Sequence, residues 1–233
     1  MSFKDVLAAC SVLAAIGFFV QAPALSPALG DFMAGHQFLT SFLKFAVLCT
    51  LGECIALRVG QGVYLTENFG IAPRLLMWGV IGLCIHTAFT IFATGTPNLL
   101  GQLGIDVSGQ PSFFGRLGLA FSISTTMNIL FAPLFMTAHS VVASHIVSTG
   151  GTLRGFFSPL NVGEQLRNIN WDMLWGFALK KTIPMFWIPA HTITFMLPVS
   201  LRILFAAALG IVLGIILALA SQKGEPIEGG SLS

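Results

Sequence analysis

Five polar side chains stand inside otherwise apolar stretches of this chain: Glu53, His86, Asn128, His191 and Arg202. An acid, two imidazoles, an amide and a guanidinium can hold water, a hydrogen-bonding solute or one another. At lipid depth each is costly unless it meets such a partner. The set is mixed in sign, which does not suit a strongly ion-selective ring. Patterns for catalysis are missing: there is no HExxH, no GxSxG and no pair of aspartates on apolar runs, so no enzymatic activity is expected. His139 and His145 are six residues apart, off the i, i+4 spacing of a helical metal pair, and no acid lies between them. No metal ion or other cofactor is therefore expected. Cys10, Cys49, Cys54 and Cys84 form no CxxC and read as small buried hydrophobes.

Prolines make a second set. Pro184, Pro189 and Pro198 cut the apolar run Ile183–Arg202, which also holds His191, Thr192 and Thr194, and Pro133 interrupts an earlier run. In hydrocarbon each proline frees a carbonyl that neighbouring helices, hydroxyls or a wet cavity must satisfy. Two readings fit Ile183–Arg202: the lining of an interior, or a kinked packing helix. Ala206, Gly210, Gly214 and Ala218 recur every four residues and let another helix approach closely. That helix belongs either to the same bundle or to a second copy in a homo-oligomer.

The elements that carry these residues follow from composition. Only 9% of the 233 residues are charged and 55% are hydrophobic. The mean hydropathy is +0.87. A soluble domain is about a quarter charged, so the expected fold is all-α, a polytopic membrane bundle of five to six apolar helices plus an interfacial amphipathic helix. The lipid bilayer is its first partner. A net charge of +2, scattered along the chain, gives nucleic acid no footprint.

Residues 1–37 hold an N-terminal span, Val6–Val20, and a loop; the same run with Ala22-Pro-Ala24 also imitates a cleaved secretory signal. Residues 38–148 hold three spans, Phe38–Arg58, Pro73–Ala93 and about Leu117–Ala138, the last kinked at Pro133 and running on into the interface. In the first of these Lys44 snorkels to the headgroups, while Glu53 faces the bundle interior or reaches Arg58. His86 reads as an interhelical hydrogen-bonder or a ligand. Gly95–Ser112 reads as a loop.

Residues 149–182 hold a linker and the interfacial helix. Asn161 and Glu164 form a capping box there; Val162, Leu166, Ile169, Met173 and Phe177 line one face, flanked by Trp171 and Trp175 and closed by Lys180 and Lys181. Residues 183–220 hold the proline-broken segment and the last span, Leu201–Leu219, and 221–233 a polar tail. With the N-terminus inside, Lys4, Arg58, Arg74, Arg154, Arg167, Lys180 and Lys181 lie on the inner side and Asp31 and Asp106 outside, with Arg116 the exception. Ile183–Leu197 is short for a crossing. If it crosses, Lys223 returns inside; if it is re-entrant, the tail is outside.

Several of these residues form a familiar order. Thr40 leads to Gly52-Glu53 in the second span; Gly82 and His86 keep a Gly-Pro-x-x-His spacing with Leu83 for the proline. Met127-Asn128 precedes Pro133 in the frame of Asp-Gln-x-x-x-x-Pro, and Pro198-x-x-x-Arg202 follows Trp187 and Pro189. Over roughly 40–220 the chain resembles the family of small membrane proteins named for the Mpv-seventeen and the twenty-two-kilodalton peroxisomal membrane proteins. The acid of the third motif is absent, and Glu replaces Asp in the first. The resemblance implies a weakly selective small-solute channel or permeability factor without enzymatic activity, in a mitochondrial inner or peroxisomal membrane for eukaryotic members. Short loops and an immediate N-terminal span point here to a bacterial inner (plasma) membrane. The alternative is a non-conducting scaffold that packs or dimerises through its last helix.

Overall fold

The computed structural model describes residues 3–105, 107 and 112–224; Asp106 and the end of the polar tail, 225–233, lie outside them. Among the described residues the regular structure is entirely helical. Ten α-helices run α1 Phe3–Leu25, α2 Pro27–Gly35, α3 Gln37–Gln61, α4 Ile71–Gln102, α5 Phe113–Leu130, α6 Ala132–Ser148, α7 Leu153–Phe156, α8 Val162–Asn168, α9 Ile188–Met196 and α10 Val199–Gly224. A π-helix, Asp172–Trp187, leads directly into α9.

Three of these helices are long and apolar enough to cross a membrane: Phe3–Ala22 within α1, α4, and Val199–Leu219 within α10. The pair α5–α6 makes a fourth if its 48° bend is counted within one span. The expected five to six is therefore reduced to three or four. Of the expected spans, 183–197 is divided between the end of a π-helix and an α-helix of nine residues. The central α3, which carries Lys44, Glu53 and Arg58, is not among the three or four.

Other boundaries move for local reasons. Helix α4 continues through Pro97 to Gln102, so the first part of the expected 95–112 loop is helical. Thr94 and Asn98 each donate to the carbonyl four residues back, at 2.9 Å, instead of pulling the backbone into a turn. At about 1.5 Å per residue its 32 residues reach roughly 48 Å, well beyond a core of about 30 Å. The bend between α5 and α6 falls where the sequence puts it, with Pro133 in the first turn of α6.

The single interfacial helix over 161–182 is not formed. Asn161 does cap α8, its Oδ1 accepting from the Glu164 amide at 3.2 Å and its Nδ2 donating to Glu164 Oε2 at 3.0 Å. But Ile169 is extended, and Asn170 starts a new helix by accepting from the Met173 amide at 3.0 Å. Val162 and Met173 thus belong to different helices. Of the three prolines only Pro198 cuts 183–202: Pro184 lies within the π-helix, Pro189 where it tightens to α9, and Pro198 in the break between α9 and α10. The first tail residues, to Gly224, continue α10.

Close packing sets the frame. A Cβ on Gly82 would lie 2.5 Å from the Ser41 carbonyl oxygen, and one on Gly79 would overlap the Phe42 ring, so α3 and α4 approach backbone to side chain. On the opposite flank of α3, Gly52 faces Ile211, Gly60 faces Ala218, Gly210 faces Cys49 and Gly214 faces Ala56. Numbers rise together along both chains, so α10 runs parallel to α3. The small-residue ladder is therefore occupied by α3 of the same chain. At the end where α3 finishes, Asp5 of α1 accepts from Arg58 Nε at 2.7 Å and from the Tyr64 hydroxyl at 2.9 Å. Lys4, Arg58, Arg74 and the end of α10 thus share one end of the bundle, as they do when 183–197 crosses. There the α3–α4 loop meets the loop after α6 so closely that Gly151 (φ 64°) has no room for a Cβ, the Asn68 oxygen lying 2.5 Å away.

Candidate functional site

A cavity of about 610 Å³ lies inside the bundle, walled by α3, α4, α5, α6, α9, α10, the π-helix and the Asn168–Asn170 turn. Its wall is largely aliphatic and aromatic. Of the five polar residues picked from the sequence it holds three: Glu53 from α3, Asn128 from α5 and His191 from α9.

Each of the three has a fixed setting. Arg74, eight per cent exposed at the start of α4, donates one terminal nitrogen to both Glu53 oxygens, at 2.8 and 2.9 Å. Its Nε donates to the Phe69 carbonyl at 2.8 Å, and its charge lies over the Phe69 ring. Glu53 therefore pairs with Arg74, and Arg58, engaged by Asp5, is not its partner. Asn128 is buried; its Nδ2 reaches the Ser124 carbonyl at 2.9 Å and His191 Nδ1 at 3.1 Å. His191 is held from two further sides, stacked on Trp187 with centroids 5.1 Å apart and edge-on to Phe89 at 5.5 Å. The Ser124 hydroxyl donates to the Ile188 carbonyl at 2.8 Å, which also accepts from the Thr192 hydroxyl at 2.7 Å.

The other two lie elsewhere. His86 turns to α3, where Nδ1 meets the Ser41 hydroxyl at 2.8 Å and the ring lies against Phe38. It is an interhelical hydrogen-bonder. Arg202 reaches back over the end of α9, donating to the Leu197 and Phe195 carbonyls at 3.1 and 3.0 Å. It caps carbonyls that Pro198 leaves without the next turn of helix. Lys44 does not snorkel: it is buried, with seven per cent exposure. Among the prolines only the neighbourhood of Pro133 and Pro189 touches the cavity, through Ala132 and His191.

Sequence reading missed Trp78, His139 and Trp187, which also line the cavity. Their signal was present, since a ring N–H at lipid depth needs an acceptor as much as a carboxylate needs a donor. A second pocket of about 380 Å³ shares Glu53, Ala56, Gly214 and Leu217 with the cavity and adds Arg74, Gln61 and Thr66 toward the end of α3. The Glu53–Arg74 pair thus stands between the cavity and the polar end of the bundle. Among the described residues no cluster of three His, Cys, Asp or Glu side chains forms a metal site. Comparison with known protein families, curated proteins and solved structures returns no match.

Proposed function

We propose that the chain is a multi-pass membrane protein that takes a small molecule into a cavity within its helical bundle, in a bacterial inner membrane. The observation that carries this reading is the cavity itself. Its volume falls in the range of small-molecule sites, roughly 300–1,000 Å³, with a mainly apolar wall and few convergent polar groups. Membership of the Mpv-seventeen-like family is part of the proposal and rests on the order and spacing of the motif residues. Passage of weakly selected solutes is the second reading, favoured by Glu53 belonging to both the cavity and the adjoining pocket. Of the alternative, a non-conducting scaffold that packs or dimerises through its last helix, packing has support in the ladder lying on α3, and a dimer seam on that ladder has none.

The test is calorimetric titration of the protein in lipid nanodiscs with neutral probes of graded size, methylnaphthalene and menadione among them. Saturable binding that Ala143→Phe abolishes is the expected result. Folded protein that saturates with none of the probes overturns the proposal. Release of graded solutes from proteoliposomes above empty vesicles then distinguishes passage from binding alone.

A further inference from the structure

The contact between Asn128 and His191 fixes where the imidazole carries its proton. Asn128 Nδ2 donates to the Ser124 carbonyl at 2.9 Å, and a carbonyl can only accept, so the amide nitrogen is the atom on that side. The same nitrogen meets His191 Nδ1 at 3.1 Å, which makes Nδ1 an acceptor. A doubly protonated ring would set donor against donor there. The imidazole is therefore neutral, and its one N–H is at Nε2.

Two polar atoms of the pair are left over. His191 Nε2–H, a donor, and Asn128 Oδ1, an acceptor, make no hydrogen bond among the described residues. The indole nitrogens of Trp78 and Trp187 in the same wall are sealed even from a molecule the size of water; these two atoms are not. Asn128 is one per cent exposed and His191 six, and both line the cavity, so the little surface they keep opens on it. Oδ1 is joined to Nδ2 through one carbon, and Nε2 to Nδ1 through one carbon. The free acceptor and the free donor thus flank the bond that joins the two residues.

Other polar groups of the wall are already engaged. The Ser140 hydroxyl donates to the Met136 carbonyl at 3.0 Å and that of Ser144 to Gln165 Oε1 at 2.6 Å. Glu53 is the one Asp, Glu, Lys or Arg among the described residues of the wall, and both its oxygens are taken by Arg74. A charged ligand would enter this apolar space without a free counter-charge, which is costly. A sugar would bring many hydroxyls to one donor and one acceptor. A ligand with an acceptor alone would serve His191 and leave Asn128 Oδ1 dry and unpaired, which is costly in turn.

Resting on the cavity reading above, we infer that its ligand is a neutral, largely apolar compound with one hydroxyl group, an alcohol or a phenol, which accepts from His191 Nε2–H and donates to Asn128 Oδ1. The aliphatic and aromatic wall receives the body of the molecule. Trp187 and Phe89 hold the imidazole in place, and Ser124 holds the amide.

The experiment compares naphthol with methoxynaphthalene, which accepts and cannot donate, and with methylnaphthalene, which has the same fused rings and does neither. Each is titrated into nanodisc-embedded wild type and His191→Phe, with protein-free nanodiscs subtracted, affinities referred to the concentration in the lipid and melting curves recorded. Naphthol binds the wild type at least roughly tenfold tighter than methylnaphthalene, the scale of one or two buried hydrogen bonds, and methoxynaphthalene falls between them. His191→Phe keeps an aromatic wall, binds methylnaphthalene as the wild type does and loses the preference. In wild type with isotope-labelled histidines, the magnetic resonance signal of the His191 Nε2 proton moves when naphthol binds and stays when methylnaphthalene binds. Equal affinity for naphthol and methylnaphthalene, a preference that His191→Phe retains, or a His191 proton unmoved by bound naphthol overturns the inference and leaves the cavity reading intact. Methoxynaphthalene binding as tightly as naphthol overturns it too, since Asn128 would then receive nothing. Binding by none of the three removes both readings. Should His191→Phe fail to fold, the wild-type affinities and the proton signal decide.

Discussion

The two halves of the bundle use similar residues to opposite ends. Around α3, the small side chains of α4 and α10 let three helices close on one another. Gly82 meets the Ser41 backbone, Gly52 meets Ile211, and Gly210 and Gly214 lie against Cys49 and Ala56. Around α5, α6 and the 172–196 segment, prolines bend or widen the helices and large rings stand between them, leaving a cavity that the Cys49–Ala56 face of α3 and the Ala206–Leu217 face of α10 close from the other side. Small residues at helix crossings remove volume; a π turn and a 48° bend add it. What the contrast teaches is that the rigid half supplies the frame, and the open half supplies the space.

If so, the two halves respond differently to added or lost volume. The largest effect is expected at Gly82. Leucine there must push apart α3 and α4 at a point where even a Cβ meets backbone oxygen, costing about 3 kcal/mol or more. The measurement is thermal unfolding in detergent. A Gly82→Leu protein melting with the wild type would mean that α3 and α4 are not locked as described.

Next comes the ion pair at the border between the halves. Glu53→Ala leaves the Arg74 guanidinium, with ten per cent of its side chain exposed, without its counter-charge. Breaking a buried pair costs about 3–5 kcal/mol, and the partial exposure of Glu53 puts this one at the lower end. Adding Arg74→Met to Glu53→Ala should return much of the loss, since the double change removes both charges. A double variant no better than the single one would show that Glu53 acts through something other than this pair.

Within the open half, Asn128→Ala removes the amide that joins α5 to His191. The expected loss is roughly 1–2 kcal/mol, from one unpaired imidazole nitrogen and a small void. It should be accompanied by a changed Trp187 fluorescence spectrum in protein lacking Trp78, Trp171 and Trp175, because His191 no longer holds its stacking partner. An unaltered spectrum would uncouple Asn128 from the Trp187 wall.

The frame was more legible than the opening. The ladder Ala206–Ala218, the inward placement of Glu53 and the kink at Pro133 all follow from periodicity and residue type, because helix geometry fixes which residues share a face. Pairing did not follow. Glu53 meets Arg74 across a hairpin whose tightness depends on Gly70 and Gly151 at positive φ, something spacing alone does not give. The 161–182 stretch was misread because Asn170, one more polar residue in an amphipathic pattern, acts as a cap and ends one helix to begin another. Nor does any 3.6-residue pattern announce a π-helix, which needs five-residue bonding that the sequence does not mark. His86 and Arg202 stood out as strongly as Asn128, yet they satisfy helix contacts and a helix end. Polarity at depth identifies residues that need partners, without saying whether the partner is protein or ligand.

The smallest effect on stability is expected at Ala143, and it sharpens the contrast most. Ala143 lines the cavity from α6, where a phenyl ring has space to enter instead of backbone to displace. Filling a void regains dispersion contacts that the wild type lacks, while any misfit costs a comparable amount, so Ala143→Phe should shift stability by no more than about 1 kcal/mol. Probe binding should nevertheless disappear, because the ring takes the ligand's volume. A small residue in the frame and a small residue in the wall thus give opposite results on enlargement: Gly82→Leu unfolds the bundle, and Ala143→Phe leaves it folded and closed. A large loss of stability at Ala143 would mean that α6 is as tightly packed as α3, and the division into frame and space would fail.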